Sequence, residues 1–174
     1  MVSSIDTFAV KERIVAIIKN DTTNLYSATP SNYTKFRQVT AGAPDYDKIV
    51  RGPFPLLYVT NQINQIDKIR RLGTQSTASS KTTPKQHEHQ LYLEIIFFVG
   101  QKDSPDAEEQ ADDFVYKIIN KLEDDTKLSD PDNQGTDFKA DDIIVDSVVP
   151  YNLKSRGRPI TGRRILFRVI KVTA

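Results

Sequence analysis

The chain has no cysteine and only two histidines among its 174 residues. The first absence excludes disulfides and thiolate metal sites and leaves the compartment open. His87 and His89 alternate along a predicted strand and therefore share a face, as metal ligands would. With no third histidine, a carboxylate from elsewhere would have to complete such a site. The plainer alternative is a pair of polar residues where a loop enters a sheet edge. The seven glycines never form G-x-G-x-x-G or a Walker loop. No G-x-S-x-G elbow occurs either. The adjacent pairs Asp112-Asp113, Asp124-Asp125 and Asp141-Asp142 suggest acid–base chemistry only until their surroundings are read. They fall on the polar flank of a helix or in loops, where carboxylates stay solvated. No catalytic residue, cofactor or metal is expected, and the chain is not read as an enzyme. The N-terminus lacks a basic-then-apolar leader pattern, and no apolar stretch is long enough to span a bilayer. A soluble protein without a membrane partner, made in the cytoplasm, is the expectation.

The longest apolar run is Gln90–Val99, rich in the aromatic and β-branched residues that suit a pleated strand. Gly100 breaks it, and Ser104-Pro105 supplies a helix cap and first helical residue. Ala111, Phe114, Val115, Ile118, Ile119 and Leu122 follow at helical spacing. Strand and stripe must cover each other, since burying each large side chain contributes roughly 1.5–3 kcal/mol.

Ser4–Asn20 reads as a first amphipathic helix, with Ile5, Phe8, Ala9, Ile14, Val15, Ile17 and Ile18 on its apolar side. Residues 22–53 show no sustained period and read as a long irregular excursion anchored by Tyr26, Tyr33, Phe36 and Tyr46. Phe54–Thr60 is predicted as a strand. Leu72–Gln86, poor in apolar residues, reads as a mobile hairpin tip. Thr126–Asp141 is a polar loop, Ile143–Val149 a strand and Tyr151–Gly162 a loop. Arg163–Thr173 is the closing strand. The order α-β-β-α-β-β predicts a single α+β domain over residues 1–174. Its antiparallel sheet of two β-hairpins has two helices packed on one face, with long mobile loops. A hydrophobic fraction of only 38% fits long polar loops or arms.

A net charge of +1 hides a division along the chain. Fifteen acidic residues lie between Asp103 and Asp146, among them Glu108, Glu109, Asp112 and Asp113. From Lys154 onward every charged side chain is basic: Lys154, Arg156, Arg158, Arg163, Arg164, Arg168 and Lys171. The two segments either neutralise each other within one molecule or form complementary faces between neighbouring subunits. The basic tip at Lys154–Arg158 with Arg163-Arg164 has three readings: a solvated turn, a contact with an acidic neighbouring subunit, or a nucleic-acid contact.

An N-terminal amphipathic helix, a hairpin with a long tip leading into His89–Ile95, an acid-started helix at Ser104–Leu122 and a last hairpin near the C-terminus follow in that order. This arrangement resembles the tail terminator proteins (tail-completion or head–tail joining proteins) of long-tailed bacteriophages and related viruses. The resemblance rests on element order, length and pattern over most of the chain. It implies a virion protein at the head–tail junction, made in the host cytoplasm and assembled as a ring of copies, typically a hexamer. Such a ring caps the tail tube protein and joins it to the head–tail connector protein, with DNA passing through its lumen. Under it, Lys154, Arg156, Arg158, Arg163, Arg164 and Arg168 of one subunit would meet Glu108, Glu109, Asp112 and Asp113 of the next. The alternative is a nucleic-acid-binding module that uses the same basic hairpin.

Overall fold

A computed structural model describes residues 5–29, 34–52, 54–72, 86–100, 105–132, 137–155 and 157–173. Helix α1 spans Thr7–Asn20, later than the expected start at Ser4, because Asp6 caps it. The Asp6 carboxylate accepts from the Phe8 and Ala9 amides at 3.0 and 3.1 Å, satisfying two of the orphan donors of the first turn. Val10, Ile14, Val15, Ile17 and Ile18 are buried, whereas Phe8 stands 52% exposed.

The excursion at 22–53 is more regular than its sequence suggests. It contains strand β1 (Gln38–Ala41) and a short helix α2 (Tyr46–Arg51). β1 runs parallel to β2 (Leu56–Asn61), with Gln38 opposite Leu56. Only Val39 of β1 is buried, so four residues leave no readable alternation. β3 (Lys68–Arg71) and β4 (His87–Gly100) follow, then α3 (Pro105–Asp124) and β5 (Asp142–Pro150). The chain closes with β6 (Leu153–Ser155) and β7 (Arg158–Thr173). The expected loop at 151–162 is thus largely a small β6–β7 hairpin, Leu153 pairing with Ile160.

The class is α+β: the described residues form three helices and one seven-stranded mixed sheet. The order along the sheet is β1-β2-β4-β7-β5, with β3 beside the first residues of β4 and β6 beside those of β7. β2/β4 and β5/β7 are antiparallel, joined by the long β4/β7 pairing from His87–Thr173 to Gly100–Thr161. The expected order of six elements is therefore corrected to ten among the described residues, and the purely antiparallel sheet to a mixed one. The proposed hairpin tip at 72–86 falls mostly outside the described residues.

One face of the sheet is covered along its length and the other only in part, with Tyr92, Leu166, Arg168 and Ile170 half-buried on it. α1 and α3 pack on the face of Val39, Leu57, Leu93, Ile95, Phe97, Ile165 and Phe167. At its centre Phe36 from the excursion lies 4.2 Å from Phe114 and 5.5 Å from Phe97, centroid to centroid. The reverse face holds a smaller core of Leu56, Tyr58, Ile96, Phe98 and Ile160, covered by Ile49 of α2. Helices on one face alone is thus correct for α1 and α3 and incorrect for α2. The described residues of the Thr126–Asp141 loop are clamped to the body at two points. Leu128 is fully buried, and Arg13 donates to the Asp137 carbonyl at 3.0 Å and its carboxylate at 2.8 Å.

Gly162 lies where β4, β7 and the β5–β6 turn close up. A Cβ there would sit 2.6 Å from the Phe97 carbonyl oxygen and 2.7 Å from that of Tyr151, both backbone atoms that cannot swing away. Gly162→Ala is expected to destabilise by about 1–3 kcal/mol through overpacking. Phe114→Ala, which empties the centre of the larger core, should cost about 3–5 kcal/mol. Urea denaturation of each variant checks both figures.

Candidate subunit and partner interface

Strand β7 distributes its arginines by alternation. Arg163, on the α3 side, is 6% exposed. It donates from Nε to Asp112 at 3.2 Å and from Nη2 to Asp112 at 2.9 Å, and its Nη2 also pairs with Glu108. Burial works against the charge of Arg163, but these carboxylates outweigh it and raise the guanidinium pKa above its ordinary value. Arg164 points to the reverse face and pairs with Glu94 of β4, whose side chain is wholly buried. Arg168 meets Asp146 of β5 at 2.8 Å, and Lys171 lies 3.7 Å from Asp141.

These pairs bear on the expected meeting of acidic and basic segments. Glu108 and Asp112 are engaged by Arg163 of their own chain, and Arg164 and Arg168 likewise have partners within it. Asp113 pairs with Lys117 one helical turn away at 2.7 Å. Glu109 is exposed on α3, and Lys154 is exposed on β6. Arg156 lies outside the described residues, and Arg158 contributes its backbone to the first position of β7.

The other candidates do not converge. His89 is buried, its Nε2 3.0 Å from the Thr173 hydroxyl, and no group of three metal-ligating side chains forms among the described residues. The Asp125 carboxylate accepts from the Ser129 amide and hydroxyl at 3.0 and 2.6 Å. Asp141 accepts from the Val172 amide at 2.6 Å. These aspartates act as turn and strand fasteners.

Two features escaped the sequence reading. The first is a polar cluster on the reverse face. Arg164 lies 5.3 Å from the Tyr151 ring centroid, and the Tyr151 hydroxyl is 2.8 Å from that of Tyr46 on α2. That hydrogen bond, then burial, pushes the Tyr151 phenol up to about 12. The second is the segment joining β2 to β3, where Asn61-Gln62-Ile63 is repeated as Asn64-Gln65-Ile66. Ile63, Ile66 and Ile69 are 81%, 84% and 60% exposed. The repeat was the available signal, since isoleucines three apart outside a helix have no apolar face to join. No helix among the described residues is long and apolar enough to cross a membrane.

Arg164→Met should cost about 3–5 kcal/mol, because it strands the Glu94 carboxylate in the interior. Arg163→Met should cost less, since Glu108 and Asp112 remain half or more exposed and rehydrate. Paired chemical denaturation curves check that order. Between pH 10 and about 12 the unfolded chain loses the Tyr151 proton while the folded chain keeps it. This contribution to stability is therefore full below pH 10 and is lost as pH rises through about 12. Phenolate absorbance compared with Tyr151→Phe should show the late ionisation, and Tyr46→Phe should bring it down. Neither the protein-family models nor the curated proteins compared with this chain match it.

Proposed function

We propose that the protein is a structural assembly subunit of the tail-terminator kind, forming a ring that caps a viral tail tube and joins it to the head connector. The observation that carries this reading is the isoleucine-bearing segment at 61–70, which holds Ile63, Ile66 and Ile69 in solvent. Exposed apolar side chains in series mark a surface that meets other proteins. The α+β body supports the reading too, with α1 and α3 on one face of a sheet in which β2/β4, β4/β7 and β5/β7 pair antiparallel. Of the paired aspartates, Asp112 holds Arg163, Asp125 holds Ser129 and Asp141 holds the Val172 amide. On this reading the partners are further copies of the chain, hexameric by the resemblance, with the tail tube protein below and the connector protein above. DNA would pass through the lumen, and the protein would reside at the head–tail junction of the virion.

A nucleic-acid-binding module built on the basic hairpin has less support. Arg163, Arg164 and Arg168 already carry carboxylates, which subtracts them from the charge available to phosphates. Light scattering and negative-stain imaging of the purified chain test the assembly reading. The expected outcome is a ring of several 19.7 kDa subunits that binds tail tubes and halts their growth. A monomer that ignores tubes and shifts duplex DNA in a salt-dependent manner would overturn it in favour of the alternative.

A further inference from the structure

The core on the reverse face is closed differently from the one beneath α1 and α3. α1 lies close along β1, and α3 along β4, β5 and β7, whereas α2 approaches no strand along its length. Side chains make its attachment instead. Ile49 is the one buried residue of α2, and it packs with Leu56, Tyr58, Ile96, Phe98 and Ile160. Tyr46 stands 51% exposed, yet its hydroxyl reaches that of Tyr151 at 2.8 Å. The ion pair of Lys48 with Asp45, at 3.3 Å, joins α2 only to its own cap.

The segment that carries α2 is pinned to the sheet at both ends. On one side the Gly42 amide donates to the Val59 carbonyl at 2.8 Å. On the other the Pro55 carbonyl accepts from the Arg37 amide at 2.8 Å. Between the anchors and the helix lie two glycines with positive φ, Gly42 at +121° and Gly52 at +77°. A Cβ on Gly42 would meet nothing within 4 Å, so backbone conformation calls for that glycine and crowding does not. Residues able to absorb a large φ/ψ change at both ends of a short element let it swing as a unit. The closed arrangement also carries a cost of its own. The Tyr58 hydroxyl is buried without a hydrogen-bond partner among the described residues. Burial first, and then the charge of nearby Asp45, pushes its phenol pKa up. Lifting α2 would hydrate that hydroxyl.

We propose that residues 43–51 form a hinged lid over the reverse-face core. Ile49 and the Tyr46–Tyr151 hydrogen bond keep it closed, and it lifts about Gly42 and Gly52 while the rest of the fold stays intact. Opening gives up one buried aliphatic side chain and one neutral hydrogen bond, far less than unfolding the sheet gives up. The open form is therefore a separate, sub-global state. It uncovers the Leu56, Tyr58, Ile96 and Phe98 side chains that α2 shelters. The lid is independent of the assembly reading, since it belongs to a lone chain as much as to a subunit of a ring.

The chain has no cysteine, so one introduced thiol in the full-length protein reports on one place. Ile96→Cys puts it on the central strand β4, opposite Tyr58 and beneath the lid. Ile118→Cys puts it on α3, inside the larger core. Circular dichroism establishes that each variant is folded, and Leu56→Cys on β2 replaces Ile96→Cys if that variant is not. The readout is the rate at which a disulfide reagent labels the thiol, without urea and at low urea. The Ile96→Cys thiol should react at least about a hundredfold faster than the Ile118→Cys thiol, with little dependence on urea. Adding Tyr46→Phe or Gly42→Ala should speed it roughly fivefold, the equivalent of one neutral hydrogen bond or one strained residue. Ile14→Val trims the larger core, so it should speed Ile118→Cys roughly fivefold and leave Ile96→Cys unchanged. Equal rates at the two sites, or an Ile96→Cys rate that Ile14→Val raises in step with Ile118→Cys, would mean that α2 leaves only on global unfolding. Either result overturns the lid. An Ile96→Cys rate indifferent to both Tyr46→Phe and Gly42→Ala would place the opening in another element and overturn it as well.

Discussion

The antiparallel pairing of β4 with β7 is the constraint on which everything else in this molecule depends. It runs from His87–Thr173 to Gly100–Thr161 and binds the β2/β4 and β5/β7 pairs into one sheet. Because both strands are central, each of their side chains goes to one of the sheet's two faces. Leu93, Ile95, Phe97, Ile165 and Phe167 go to the face of α1 and α3, while Ile96 and Phe98 go to the face of α2. The same alternation sends Arg163 to α3 and Arg164 to Glu94, so neighbouring arginines acquire different partners. The close approach at Gly162 belongs to this pairing as well, since only a glycine lets the Phe97 and Tyr151 backbones come so near.

Charge follows from topology in this fold. β7 lies between β4 and β5, beneath α3, and so runs alongside the acidic residues that precede it in sequence. Four of its basic side chains take carboxylates from α3, β4, β5 and the residue before β5. The acidic and basic segments therefore meet in part within the chain, through Glu108, Asp112, Asp141 and Asp146. Among the described residues, the outer side of α3 exposes Asp106, Glu109, Glu123 and Asp124, and the segment between β2 and β3 exposes Ile63 and Ile66.

Legibility in the sequence tracked the length and the period of each element. β4 could be read as a long apolar run and α3 as a stripe at helical spacing, whereas the two simple hairpins expected around them are interrupted by β3 and β6. β1 could not, with one buried side chain in four residues and a parallel partner eighteen positions on. α2 has six residues and a single buried one, Ile49, which gives no stripe to detect. The candidate site was legible in composition and illegible in pairing. The sequence displays the segregation of charge, but Arg163 and Asp112 are brought together by a sheet register that no local pattern encodes. Glu94 was visible within an apolar run, while its arginine stands seventy residues away. The exposed isoleucines were overlooked because apolar residues without a period are easily taken for loop filler.

The central claim is that Arg163, Arg164, Arg168 and Lys171 of the C-terminal strand find their carboxylates inside each chain. Zero-length carboxyl–amine cross-linking of a mixture of heavy-isotope and unlabelled chains measures this directly. The account predicts that links between Lys171 and Asp141 join residues of the same isotope. Mixed-isotope links between those two residues would contradict it.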